Sequence, residues 1–253
     1  MRDIYQTHNG KAYRFLTFEG FHQTMMNQTL RFTQSGNFND PLDLSLFLTN
    51  LVDIEDPNSQ NLDIGRTLLD HFQKKMFGTA YLCCFCKEYK SADSYLMWAH
   101  YGKSHSQMCF EIDFGTTKYL GGPSTVSYPP DLVEYKNELL KKSSEEKGIG
   151  WVLTKSKIWE HEKEVRLIID ITHEKLDFSN LSISENGVHL FYNFPPTNVT
   201  KIIFGVNSQR HEEIKTLRLM QSMNLHPKYE KMIIRTSDLT LDSIPLNEKE
   251  IDR

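Results

Sequence analysis

Glu162, Glu164 and Arg166 alternate within the run Trp159-Glu160-His161-Glu162-Lys163-Glu164-Val165-Arg166-Leu167-Ile168-Ile169-Asp170. In an extended chain, side chains two apart share a face. Glu162, Glu164, Arg166 and Ile168 then point one way, and Val165, Leu167 and Ile169 the other. Crowded carboxylates raise each other's pKa while a guanidinium favours ionisation, so such a row supplies one charged and one protonatable group. A solvated edge strand with an ion pair shows the same pattern without any chemistry. His100 adds a candidate general acid/base, against the commoner role of a hydrogen-bonded structural histidine. Trp98 and Tyr101 lie three apart on the helical stretch Tyr95-Leu96-Met97-Trp98-Ala99-His100-Tyr101, where they either fill the core or present ring faces and polar tips to a pocket. Phe38 sits among turn-formers in Gln34-Ser35-Gly36-Asn37-Phe38-Asn39-Asp40-Pro41, as a core plug or a stacking surface.

The elements that must position these residues follow from spacing. Short strands are expected at Ala12–Leu16 and Leu30–Thr33, with an amphipathic helix over Glu19–Asn27 between them. Leu42–Leu51 and Asp63–Met76 read as helices, and Thr79–Phe85 as a buried strand. Gln107–Phe114 alternates as a half-buried strand, with Met108, Phe110, Ile112 and Phe114 on the inner face. Val126–Tyr128 reads as a strand ended by Pro129-Pro130, and Asp131–Lys147 as a charged helix. The segment from Ile171 to Asn186 looks irregular, and Val188–Phe194 extended. Lys201–Val206, Gln209–Met223 and Lys231–Arg235 form a strand-helix-strand close. The whole is one α+β domain over 1–253, with a mixed, mostly antiparallel sheet and flanking helices. Its core spans about 12–236, and 237–253 form a polar tail.

The 253 residues are 39% hydrophobic and 25% charged, enough for a sizeable core. A net charge of -4 gives no broad footprint for nucleic acid. No apolar run approaches the roughly 20 residues needed to cross a bilayer, and no signal peptide is evident, so a soluble, cytoplasmic protein without a membrane partner is expected. Cys83, Cys84, Cys86 and Cys109 lack zinc-ligand spacing and read as buried structural thiols.

Tyr13-Arg14, the block from Leu30-Arg31-Phe32-Thr33 to Phe38-Asn39-Asp40-Pro41-Leu42-Asp43, Met97-Trp98-Ala99-His100-Tyr101, Cys109-Phe110-Glu111-Ile112-Asp113, Lys155-Ser156-Lys157-Ile158-Trp159, Glu162-Lys163-Glu164-Val165-Arg166 and Ile202-Ile203-Phe204-Gly205 resemble, in that order, a bacterial family of unknown function, domain family 2971. The resemblance runs from about Tyr13 to about Asn224. Where that family tends to have Ser after its Cys-Phe pair, this chain has Cys86, which stays outside the candidate site. Family members often accompany defence and toxin systems, which implies an effector-like role and an antitoxin or defence partner.

The layout also looks like the ADP-ribosyltransferase plan. That likeness implies NAD as substrate, Glu164 and Glu162 with His100 as catalytic residues, and Tyr13, Arg14, Phe38, Asn39, Asp40, Trp98, Tyr101 and Arg166 as nucleotide contacts, with no metal. Its reaction passes through an oxocarbenium-like state that a carboxylate stabilises; the acceptor would be protein, nucleic acid or water. Two other readings remain open. One is a non-catalytic binding or sensor module; the other is a nuclease with Mg²⁺ on Asp40, Asp43, Glu162 and Glu164. A single cleft shared by Arg14, Trp98, Tyr101 and Glu164 would favour the enzyme.

Overall fold

The computed structural model describes residues 10–38, 78–114, 128–136, 152–172, 176 and 178–251. The helices expected over 42–51 and 63–76, the Gly148–Gly150 hinge, and Asn39, Asp40 and Asp43 lie outside the described residues.

The fold is α+β, built on a mostly antiparallel sheet that has 11 strands among the described residues. Strand β1 (Lys11–Leu16) leads into helix α1 (Phe18–Asn27), which returns to β2 (Thr29–Gln34). Thr17 caps α1 by accepting from the Gly20 N–H, and Phe18, Phe21 and Met25 bury one stripe of the helix. Gln28 ends it in the left-handed conformation. Then come β3 (Ala80–Cys86), helix α2 (Ser94–His100) and β4 (Met108–Asp113). Strand β4 lies between β1 and β11 (Val199–Phe204) inside the sheet and is buried on both faces, not half-buried, because Met108, Phe110 and Ile112 join one apolar cluster and Cys109 a second on the opposite face.

Strand β5 (Tyr128–Leu132) runs through Pro129-Pro130 instead of stopping before them. Among the described strands it pairs with β8 (Glu164–Asp170) alone, and its register breaks between Tyr128 and Asp131, an edge position with an irregularity that suits proline. Glu134–Lys136 is a further strand, β6, parallel to β7 (Thr154–Ser156), so 131–136 is extended where a helix was expected. The segment expected to be irregular carries β9 (Leu181–Ile183), paired with β10 (His189–Asn193). After β11, helix α3 (Arg210–Ser222) crosses to β12 (Lys228–Ile234), parallel to β11 as the strand-helix-strand reading requires. The stretch read as a polar tail instead forms β13 (Leu241–Leu246), antiparallel to β12, and a last turn α4 (Glu248–Ile251), whose Ile251 is fully buried. Its polarity reflects an edge strand with one solvent face.

The main core lies on one face of the sheet, where Phe18, Phe21 and Met25 of α1 and Leu217 and Met220 of α3 cover Phe85, Phe110, Leu167 and Phe204. A smaller cluster of Trp98, Tyr89, Cys109, Ile203 and Met232 lies on the other face, under α2.

The sheet forks at β3. One edge of β3 pairs with β8 along its length, Ala80↔Asp170 to Cys86↔Glu164. The other edge meets β2 at Tyr81 and Leu82, and β1 through Tyr13↔Cys86. Between those contacts β1 and β2 part, and the opening falls beside Cys84 and Phe85.

Candidate active site

A cleft of about 190 Å³ fills the fork, with Tyr13, Arg14, Phe38, Cys84, Tyr101, Lys155, Glu162 and Glu164 among its lining residues. Strand pairing brings part of the wall together. Across neighbouring strands the register runs Lys201↔Glu111, Glu111↔Tyr13, Tyr13↔Cys86 and Cys86↔Glu164, a polar row on the α2 face.

Glu164 starts β8, and Val165, Leu167 and Ile169 do face the main core. Glu162 is not on the strand. It ends a short 3-10 turn, Lys157–Glu162, and Lys163 at φ 43° turns the chain between them. The two carboxylates nevertheless meet, because Lys155 on β7 places its Nζ 2.5 Å from Glu162 Oε2 and 3.2 Å from Glu164 Oε2. Arg166 donates from Nε to Glu164 Oε1 at 2.8 Å and from Nη2 to Oε2 at 3.0 Å, and from Nη1 to the Val152 carbonyl at 2.7 Å. Tyr101 donates to Glu162 Oε1 at 2.6 Å. Lys155, Glu162, Glu164 and Arg166 are each at most 5% exposed. Removing two acids and two bases from water costs several kcal/mol per ion, repaid only by close geometry and full hydrogen bonding of this kind.

Burial raises the Glu164 pKa, but Arg166 and then Lys155 overcome it and hold the carboxyl at about 2. Glu164 is therefore a permanent anion at neutral pH. The Tyr101 hydroxyl is pushed up, first by burial and then by Glu162, so it stays a donor. Cys84 touches the same carboxylate, and burial, with Glu164 next, drives its thiol well above the ordinary range.

Arg14 enters the fork from β1. Its Nη2 donates to the Arg31 carbonyl on β2 at 3.0 Å, and its guanidinium lies 5.5 Å from the centroid of the Phe85 ring. Its Nη1 is buried and has no partner among the described residues. Phe38 stands 5.9 Å from the Arg166 guanidinium.

Of the residues expected at the site, Tyr13, Arg14, Phe38, Tyr101, Glu162 and Glu164 line one cleft, and Arg166 lies directly behind Glu164. Trp98 does not join them. It is fully buried in the smaller cluster, its indole N–H bonded to the Tyr89 carbonyl at 2.7 Å and its ring edge-on to Phe15. His100 ends α2 exposed and outside the lining. The cleft is also smaller than the roughly 300–1,000 Å³ of most ligand sites. Lys155, the ion joining both carboxylates, stands out in the sequence only as part of the family block. Its signal was a lysine seven residues before Glu162, which acquires meaning only once β7 and the 3-10 turn fold back on each other.

No helix among the described residues is long and apolar enough to cross a membrane. Comparison of the chain with protein-family models, with curated proteins and with solved structures returned no match.

Proposed function

We propose that the cleft binds the nicotinamide-ribose end of NAD and that the protein is an NAD-consuming enzyme of the ADP-ribosyltransferase type. The observation that supports it is the meeting of Arg14 and Glu164, 150 positions apart, in one lining with the Tyr13, Phe38 and Tyr101 rings. The bond between ribose C1′ and the nicotinamide nitrogen breaks with its electron pair leaving on nicotinamide. The permanently ionised Glu164 stabilises the positive charge left on the ribose. Glu162, reached from the cleft mouth by Tyr101, orients the acceptor and takes its proton. The Arg14 Nη1, buried and without a partner among the described residues, supplies a phosphate donor. Such an activity fits a cytoplasmic toxin or anti-phage effector, where NAD depletion or target modification is the output.

Purified protein incubated with NAD is expected to release nicotinamide, measured chromatographically. Glu164→Gln should lose roughly 100-fold or more of the rate. Arg14→Ala, which leaves the buried ion pairs untouched, should raise KM for NAD but not for nicotinamide riboside. No nicotinamide release under any acceptor condition, cell extract included, would defeat the proposal.

One observation favours a second reading, a non-catalytic nucleotide-binding module: each oxygen of Glu162 and Glu164 already accepts from a side-chain donor, Lys155 and Arg166 being buried ones and Tyr101 an exposed one. Calorimetric binding of ADP-ribose without nicotinamide release from NAD would select it. The Mg²⁺ reading is disfavoured because the Lys155 ammonium already bridges the two carboxylates where a shared cation would sit.

A further inference from the structure

A second cavity, of about 430 Å³, opens where the C-terminal end of α1 meets the end of β10. Asn27, Gln28, Asn180 and Asn193 are four amide-bearing residues of its lining, and Met26, Phe194 and Pro195 are the apolar ones. None of these residues is charged, in a chain where 25% of residues are. No described residue bonds the side-chain amides of Asn27, Gln28 or Asn193, all three exposed.

The wall is fixed by main-chain bonds. The Gln28 N–H is bonded back to the Met25 carbonyl, its φ is 53°, and its carbonyl accepts from the Phe194 N–H at 2.9 Å. Thr29 and Asn193 face each other as the last pair of β2 and β10. Phe194 is 3% exposed and anchors the floor, whereas Met26 is 65% exposed and Pro195 also faces outward. Strand β10 is paired on both edges, by β2 and β9, so an extended peptide has no ladder to join here.

The ligand chemistry follows from this wall. An anion or cation placed here would gain no counter-charge from the described residues of the wall. A carboxamide offers donor and acceptor side by side, which suits adjacent hydroxyls, and the thioether of Met26 and the ring of Pro195 suit the C–H face of a pyranose. The volume falls in the range of small-molecule sites. We propose that this cavity is a binding site for a neutral saccharide, separate from the cleft at the fork.

The test is a titration of the ¹⁵N-labelled full chain with glucose, N-acetylglucosamine and maltose, and with glucuronic acid as the charged comparison, followed through the side-chain amide resonances of Asn27, Gln28, Asn180 and Asn193. Saturable shifts with at least one neutral sugar, at millimolar concentration and centred on these amides, are expected. Asn193→Ala should weaken binding about tenfold, as loss of a hydrogen-bonding pair would. Because Asn193 is exposed, its thermal melt should not move. The proposal is overturned by no saturable shift with any neutral sugar, by equal shifts with glucuronic acid, or by undiminished affinity in an Asn27→Ala, Asn193→Ala double variant.

Discussion

Arg166 is the residue on which the buried charges turn. Its three donating nitrogens are all engaged, and replacing it by Met leaves the buried Glu164 anion with Lys155 as its one cationic partner among the described residues, beside the Cys84 thiol. A loss of about 3–5 kcal/mol is expected for such a half-broken pair, read as a fall in Tm or in the denaturant midpoint. Acid acts on the same group. Glu164 has a folded pKa of about 2 against an ordinary 4.5, so its contribution is whole above pH 4.5 and drains away as pH falls toward 2. Glu111, Glu213 and Glu230 are also held below the carboxylate range despite burial, by hydroxyl and lysine donors, and they push the same way. Stability measured from pH 7 downward should therefore stay flat to about 4.5 and then fall. A flat profile to pH 3 would contradict these pairings. All four thiols are raised by burial, so at pH 8 the native protein should react with a disulfide reagent far more slowly than the unfolded chain. At this scale much was legible in the sequence: the period-two rule correctly put Val165, Leu167 and Ile169 in the core. It misled at Glu162, because the left-handed Lys163 interrupts the strand, and nothing local announces such a kink at a lysine.

Among the elements, the turn after α2 is the most constrained. Lys103, Ser104 and His105 have φ values of 48°, 55° and 62°, three successive left-handed residues without a glycine. Such residues cost about 1–2 kcal/mol apiece. The turn persists because the end of β11 holds it: Gly205 N–H donates to the Gln107 carbonyl and Asn207 N–H to the His105 carbonyl. A Cβ on Gly205 would come within 2.2 Å of that His105 carbonyl oxygen. Gly205→Ala is therefore expected to push the turn, and α2 with it, out of place. The loss should exceed 1–3 kcal/mol, the usual cost of overpacking, and the Tyr101–Glu162 bond should be lost with it. Unchanged stability and an unchanged Tyr101 environment would refute that coupling. Helices α1, α2 and α3 were readable because their apolar spacing is local; of the three, α1 has a side-chain N-cap, at Thr17. Trp98 went to the core and Tyr101 to the cleft although they lie three apart, a division set by β1 and β4 below the helix and absent from the helix itself.

In the whole molecule, the first described strand is central and the last is at the edge. Strand β1 is flanked by β4 and β3, while β13 pairs with β12 alone among the described strands. A chain beginning at Phe18 should show no cooperative unfolding transition, since it loses the middle of the sheet. A chain ending at Thr240 should fold but melt lower, by about 2–4 °C per kcal/mol lost, and self-associate through the uncovered β12 edge. A folded N-terminal deletion would overturn the topology. The sheet's make-up was legible in part, since strand propensity marks most strands. The fork was not, because it depends on how β1, β2 and β3 share an edge across gaps of tens of residues.

That shared edge has a consequence for how the cleft can be varied. Its aperture is set by main-chain divergence of two strands from a third, so side-chain exchanges at positions such as Phe38 or Tyr101 can redecorate the walls while the gap keeps its width. Altering the gap itself requires sliding one whole strand along its neighbour. The chemistry of this protein should thus drift readily under substitution, while the dimensions of what it admits stay conserved by geometry.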